Sequence, residues 1–262
     1  MTATMHAAVV VAFGQPLQLQ ELPVPASGPS QVLVKTEACG VCHTDLYAAA
    51  GDWSLKPGLP FIYGHQGIGT VVALGSGVTA VKEGDRVGVP WLYSACGHCE
   101  YCLSAREPVC AKAQFGGYTQ IGGFADLIVA DPNYVAHVPV GLTSRDAAPL
   151  ICAGITSYKG LKETQAKPGQ GVGMTRKWGT CVLVGVPPGD FPTPLFDVVA
   201  NCITIRGSFV GSRSDMAEAL AFGARGVVKA DIELQPLAAI NTVVERLKSG
   251  KVPSRVVLDF TA

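Results

Sequence analysis

The stretch Cys96-Gly-His-Cys99-Glu-Tyr-Cys102, followed by Leu103-Ser-Ala-Arg-Glu-Pro-Val-Cys110, commits the middle of the chain to a metal-folded lobe. Its spacing, C-x2-C-x2-C-x7-C, packs four thiols into fifteen residues. Four sulfurs complete a tetrahedral zinc shell and leave no open position, so such a site folds a loop and does no chemistry. Disulfides are the competing use of these cysteines. However, the N-terminus has no basic stretch followed by an apolar core, so a secretory signal is not expected. Nine cysteines in such a chain point to metal or reactivity and to the cytoplasm. His98 lies inside the cluster and reads as a spacer, because four sulfurs already suffice.

Outward from the lobe, the first 140 residues read as β-rich. Val9–Phe13, Gln31–Glu37, Gly69–Leu74, Arg86–Val89 and Ala125–Val129 are short runs of apolar and β-branched residues, punctuated at Pro23–Pro29, Gly75–Gly77 and Glu83–Asp85. This texture predicts a compact, β-barrel-like domain. From Ser144 it changes: Ser144-Arg-Asp-Ala-Ala-Pro-Leu reads as a helix start with Asp146 near the positive end of the dipole. Thr180–Val186, Ile203–Ser208 and Arg255–Phe260 read as strands, and Met216–Phe222 and Leu237–Lys248 as helices. The 262 residues carry 20 basic and 20 acidic side chains, so no basic excess exists to neutralise phosphates and a nucleic-acid partner is not expected. No apolar run reaches the roughly 18 residues of a membrane helix, so no membrane partner is expected either.

Further metal-ligand types are scattered: Cys39-Gly-Val-Cys42-His43-Thr44-Asp45, Gly64-His65-Gln66 and Cys152-Ala-Gly-Ile-Thr156. Spacing alone cannot join them, and each taken singly is more often a buried Cys or a satisfied His than a ligand. Together they could supply the three protein ligands of a zinc with one open position.

These segments, with Gly51-Asp-Trp53, the four-cysteine lobe and Thr180-Cys-Val-Leu-Val-Gly-Val-Pro-Pro188, resemble the zinc-dependent alcohol dehydrogenases of the medium-chain dehydrogenase superfamily, particularly the bacterial and yeast-type enzymes. The resemblance implies a mixed α/β fold, with a GroES-like β-barrel catalytic domain (residues 1–152, zinc lobe near 90–112). It also implies a truncated Rossmann coenzyme-domain remnant (153–211, junction near 169–173) and a C-terminal segment (212–262) returning to the catalytic domain. It makes Cys42, His65 and Cys152 the ligands of a catalytic zinc and Cys96, Cys99, Cys102 and Cys110 those of a structural zinc, two ions per chain. Thr44 becomes the hydroxyl that bonds the alcohol, with Tyr47 in the proton relay. Asp45 supports His65, Gln66 lies behind the metal, and Trp53 and Trp91 wall a small-alcohol pocket. His43, Thr156, Val184, Val186, Ser208, Val210 and Arg255 become contacts of NAD(H) or NADP(H). The implied reaction moves a hydride between a small primary or secondary alcohol, or its aldehyde, and that cofactor, and the implied assembly is a homo-oligomer.

Three departures from the family pattern stand out. The relay position holds Tyr47 where many relatives have His, and a phenol titrating near 10 is a poor base at neutral pH. Gln66 replaces the usual Glu. Most importantly, the G-x-G-x-x-G turn that should open the dinucleotide fold is missing: Gly169-Gln-Gly171-Val-Gly173-Met174 lacks its third glycine and follows no strand. A βαβ unit takes about 30 residues, so the missing piece is of order 80 residues. The expectation is therefore a dehydrogenase by descent with weak or no turnover. The competing reading is a non-catalytic zinc-binding remnant or an engineered deletion variant.

Overall fold

Thr4 and His6 face solvent while Met5 and Ala7 through Val10 are buried, so the first strand, β1, spans Thr4–Val10. It lies earlier than the Val9–Phe13 expected from the apolar run alone. The difference arises because β1 is set by antiparallel pairing with β2 (Gln18–Pro23) and the chain turns at Gly14. The computed structural model describes residues 3–166 and 176–261. In chain order there follow β3 (Val32–Gly40), α1 (His43–Ala50), β4 (Phe61–Ile62), β5 (Gly67–Leu74), β6 (Arg86–Val89), β7 (Leu92–Ser94), α2 (Glu100–Leu103), β8 (Gln114–Phe115), β9 (Leu127–Ala130) and β10 (Ala136–His137). The second half holds α3 (Ser144–Pro149), a π-helical turn at Leu150–Gly154, α4 (Ile155–Thr164), β11 (Thr180–Leu183), α5 (Leu195–Ala200), β12 (Thr204–Gly207), α6 (Arg213–Ala224), β13 (Ile232–Gln235), α7 (Ile240–Lys248) and β14 (Arg255–Asp259).

β3 is the spine. It pairs with β5 along most of its length, while β9 takes Val32–Lys35 and β14 takes Ala38–Gly40 on its remaining edge. Register shifts at Leu33/Val34 and Thr36/Ala38 let it bend between these partners. Gly69 is required in this crowding, because a Cβ there would sit 1.9 Å from the Lys35 carbonyl oxygen.

The β-barrel-like domain expected from the sequence is built here from open sheets. The main sheet runs β10-β6-β5-β3-β14-β13 and stays open at both ends. β14 returns from the C-terminus, occupies part of the β3 edge and carries the sheet outward through parallel β13 instead of back on itself. The smaller sheet β2-β1-β4 lies beside it, tied by the Ala8 N–H to Phe124 carbonyl bond of 2.8 Å.

Among the described residues, three apolar cores hold these layers. Val10, Leu46, Tyr63, Phe124, Ile240 and Val243 join β1 to α1 and α7. Ala147, Leu150, Ile151, Ile155 and Leu220 seat α3, the π turn and α6 on the sheet. Val32, Val34, Val71, Val87 and Ile128 fill the third. By contrast β11 and β12 form a two-stranded parallel sheet of their own, and α5 buries none of its residues. The glycine-rich stretch around 169–173 lies outside the described residues. No helix among the described residues is long and apolar enough to cross a membrane.

Candidate active site

Cys-His-Thr-Asp at 42–45 starts α1 with a thiol as its cap. The Thr44 N–H donates to Cys42 Sγ at 3.3 Å, and the Cys42 N–H donates to Asp45 Oδ2 at 3.0 Å. The other carboxylate oxygen, Oδ1, stands 3.0 Å from His65 Nδ1. One buried carboxylate therefore closes the helix start and fixes the ring so that Nε2 faces inward. His65 reaches this place because Gly64 adopts a φ of 99°, where a Cβ would meet the Phe124 ring at 2.6 Å.

Nε2 of His65 lies 3.5 Å from Cys42 Sγ and 3.2 Å from Cys152 Sγ. Cys152 comes from the π turn that interrupts the α3–α4 helical run, a local widening that often marks functional positions. The three donor atoms all fall within 4.8 Å of one another. A tetrahedral zinc with its usual bond lengths sets S···N and S···S separations of about 3.5–3.8 Å, so the trio fits that ion and leaves one position open.

The electrostatics agree with a cation site. The hydrogen bond from Cys152 holds the Cys42 thiol well below its usual range against burial, with His65 and the Thr44 side chain adding to it. That same bond, together with burial, pushes Cys152 up. Burial alone would depress His65, but Asp45 and Cys42 outweigh it and push the ring up to about 10. The pocket thus favours positive charge at Nε2 between the sulfurs.

The second group is the lobe read from spacing. Cys96, Cys99, Cys102 and Cys110 converge, with Cys102 Sγ 3.8 Å from Cys96 Sγ and 3.6 Å from Cys99 Sγ. These separations also fit tetrahedral zinc. All nine cysteines are free thiols, which excludes the disulfide alternative. His98 instead places Nδ1 2.7 Å from the Cys96 carbonyl oxygen.

Around the open trio stands an aromatic wall. Trp91 lies edge-on to His65 with centroids 5.2 Å apart, and Trp53 meets Trp91 at 6.3 Å. Tyr118 and Phe115 complete it, 5.3 Å from Trp53 and 5.2 Å from Trp91. Neither was singled out from the sequence; the aromatic-glycine run Phe115-Gly-Gly-Tyr118 was the available signal. Tyr47 sits between Trp53 and the exposed His43, at ring distances of 6.4 and 6.2 Å. Gln66 is buried, and its amide nitrogen has no partner among the described residues.

The residues expected at the cofactor are spread more widely. Thr156 follows Cys152 by one helical turn on α4. Val184 and Val186 continue from β11 and are exposed, yet the Val186 carbonyl accepts the Trp53 indole N–H at 3.2 Å. Ser208 follows β12 with a buried hydroxyl that has no partner among the described residues, and Val210 takes a φ of 41°. Arg255 begins β14 with a buried Nε that has no partner among the described residues, and its charge pulls the Cys152 thiol downward against the larger upward effects of Cys42 and burial.

Residues 28–140 match the alcohol dehydrogenase GroES-like domain. The chain is 40% identical to an alcohol dehydrogenase of Moraxella sp. (strain TAE123) over 337 aligned residues, covering 98% of this chain and 100% of that protein. An alcohol dehydrogenase of Geobacillus stearothermophilus is also 40% identical, covering 97% and 99%. The chain belongs to the alcohol dehydrogenase family. By family it is an oxidoreductase of mixed α/β fold with a GroES-like domain. Among solved structures, a cinnamyl alcohol dehydrogenase of Sorghum bicolor is 25% identical with a TM-score of 0.87, covering 98% of each chain. A cobalt- and zinc-bound thermostable alcohol dehydrogenase of Pyrobaculum aerophilum shares the fold at TM-score 0.90 and 21% identity, covering 98% of this chain and 100% of that one.

Proposed function

We propose that the Cys42–His65–Cys152 centre binds the oxygen of a small primary or secondary alcohol, or of its aldehyde or ketone, for hydride exchange with NAD(P), and that this chain grips the dinucleotide weakly. The observation that carries the first part is the trio itself: three N/S donors at zinc spacing, one open position and an aromatic wall beside it. When bound, zinc supplies Lewis acidity at the open position and the nicotinamide supplies the hydride acceptor. The chain supplies the rest. Asp45 locks the His65 tautomer, and Thr44, half-buried beside Cys42, takes up the substrate hydroxyl proton. Tyr47 lies one turn further along α1 to pass it outward through solvent. Trp53 and Trp91 limit the substrate to a small one. Cys96, Cys99, Cys102 and Cys110 hold a second zinc that folds their lobe.

Two observations support the weak grip. Only fifteen positions, 165–179, lie between the end of α4 and β11, too few for a βαβ unit of about 30 residues. The Moraxella alignment also runs over 337 residues against the 262 of this chain, a difference of 75. We read this as an internal loss that removed the phosphate-binding turn and left His43, Thr156, Val184, Val186, Ser208, Val210 and Arg255 as half a cofactor site. On this reading 1–152 is the catalytic domain, 153–211 the coenzyme remnant and 212–262 the returning segment. Phe191, Leu195, Phe196 and Val199, all exposed, favour a homo-oligomer. Free thiols throughout suit a reducing compartment.

The test is steady-state oxidation of short alcohols by the zinc-loaded protein across cofactor concentrations. The expected rate climbs without saturation into the millimolar range and vanishes in His65→Ala. Saturation at micromolar cofactor would refute the weak grip, and no turnover at any concentration would favour the non-catalytic zinc protein.

A further inference from the structure

Beside the segment that carries Trp91 lies a cavity that none of this chemistry uses. It holds ≈ 180 Å³ between α6 and the segments around β7 and β10. Leu92, Ala136, Met216 and Leu220 are buried and form its floor, and Ala217, His137 and Arg213 stand at its rim. Arg213 is already committed there: its Nε donates to the buried Glu107 at 3.1 Å, Nη1 donates to the Asn133 carbonyl at 3.2 Å, and the guanidinium covers the Tyr134 ring at 4.9 Å. The rim therefore offers no uncompensated charge to attract an ion.

From this shape and chemistry we infer that the cavity is a binding site for an uncharged, ring-sized aromatic molecule. Two arguments fix the class. An apolar protein cavity of about 150 Å³ takes up benzene, and this one is of that size. Its floor combines branched aliphatic side chains with the Met216 thioether, whose contact with a ring edge is favourable. The site is placed to influence the metal cleft without being part of it. Pro90 and Leu92 line the cavity while Trp91 between them packs on His65. Gly211 lines it too, two residues from Phe209, whose ring meets Phe115 at 5.7 Å. An occupant braces the two segments that carry the wall.

Fluorobenzene, which carries no group for a metal to hold, is the probe. Binding is followed by fluorine NMR on the zinc-loaded protein, on Ala217→Phe and on Trp53→Leu. Ala217 lines the cavity from an exposed position on α6, so a phenyl placed there occupies the rim without displacing buried side chains. The inference expects saturable binding that Ala217→Phe weakens by about tenfold or more through filled volume, with Trp53→Leu binding as the parent does. Loss in Trp53→Leu with full retention in Ala217→Phe would put the ring in the metal cleft and overturn the inference. Absence of binding up to the solubility limit would overturn it as well.

Discussion

Replacing Asp45 separates the two metal groups most cleanly. Its carboxylate accepts the Cys42 N–H at 3.0 Å and faces His65 Nδ1 at 3.0 Å, and both partners belong to the open trio. Asp45→Ala removes a helix-capping acceptor, costing about 1 kcal/mol of fold stability. It also frees the ring that presents Nε2. Losing such an outer support typically costs about 10- to 100-fold in metal affinity, or about 1.4–2.8 kcal/mol. Asp45→Asn keeps one acceptor oxygen for two donors, so it belongs near the tenfold end and the alanine variant near the hundredfold end. The assay is equilibrium competition with a chromogenic zinc chelator, resolving two classes of bound metal, with cobalt substitution to identify them spectroscopically. Only the class with one nitrogen and two sulfurs should weaken, while the four-sulfur class keeps the parent affinity. Unchanged affinity in Asp45→Ala, or equal weakening of both classes, would refute the reasoning that this carboxylate organises the trio.

Cys102→Ser should lower the zinc content from two to one per chain by elemental analysis and raise proteolytic cleavage between Cys96 and Cys110, leaving the other metal in place. Gly64→Ala should destabilise the fold by about 2–3 kcal/mol in urea, since the residue must keep φ near 99° with a methyl against Phe124; a change under about 0.5 kcal/mol would contradict this. Glu233, whose carboxylate takes hydrogen bonds from Arg246 at 2.5 and 2.7 Å, is held at about 2, below its usual 4.5. A depressed carboxylate contributes stability above 4.5 and loses it as pH falls through 2. Glu233→Gln should therefore melt below the parent at neutral pH and converge with it near pH 2, as followed by circular dichroism.

The sequence disclosed these parts unequally, for physical reasons. The four-cysteine lobe is local, so fifteen residues of spacing suffice to specify it. The open trio is not: Cys42 and His65 are 23 positions apart and His65 and Cys152 are 87. What brings them together is the β3–β5 pairing and a π turn, neither of which leaves a periodic pattern, so only the family resemblance connected them. Helix α3 begins at the expected Ser144 because Thr143 and Asp146 form a cap readable in four letters. The order of strands in the main sheet is not legible in the sequence, because a decisive partner of β3, β14, is more than 200 residues away. Phe115 and Tyr118 stayed hidden because aromatic side chains in loops carry no period to betray which face they cover.

On the proposed reading, an alcohol-binding metal centre is coupled to half a cofactor site. Losing three or four phosphate contacts, each worth roughly 1.5–3 kcal/mol, moves a micromolar dinucleotide to millimolar or weaker. Titrating the purified, zinc-loaded protein with NADH by fluorescence or calorimetry tests this most directly. The account predicts no saturation below millimolar NADH while two zincs remain bound. Micromolar binding would contradict it and mean that the chain, or a neighbouring subunit, supplies a phosphate cradle.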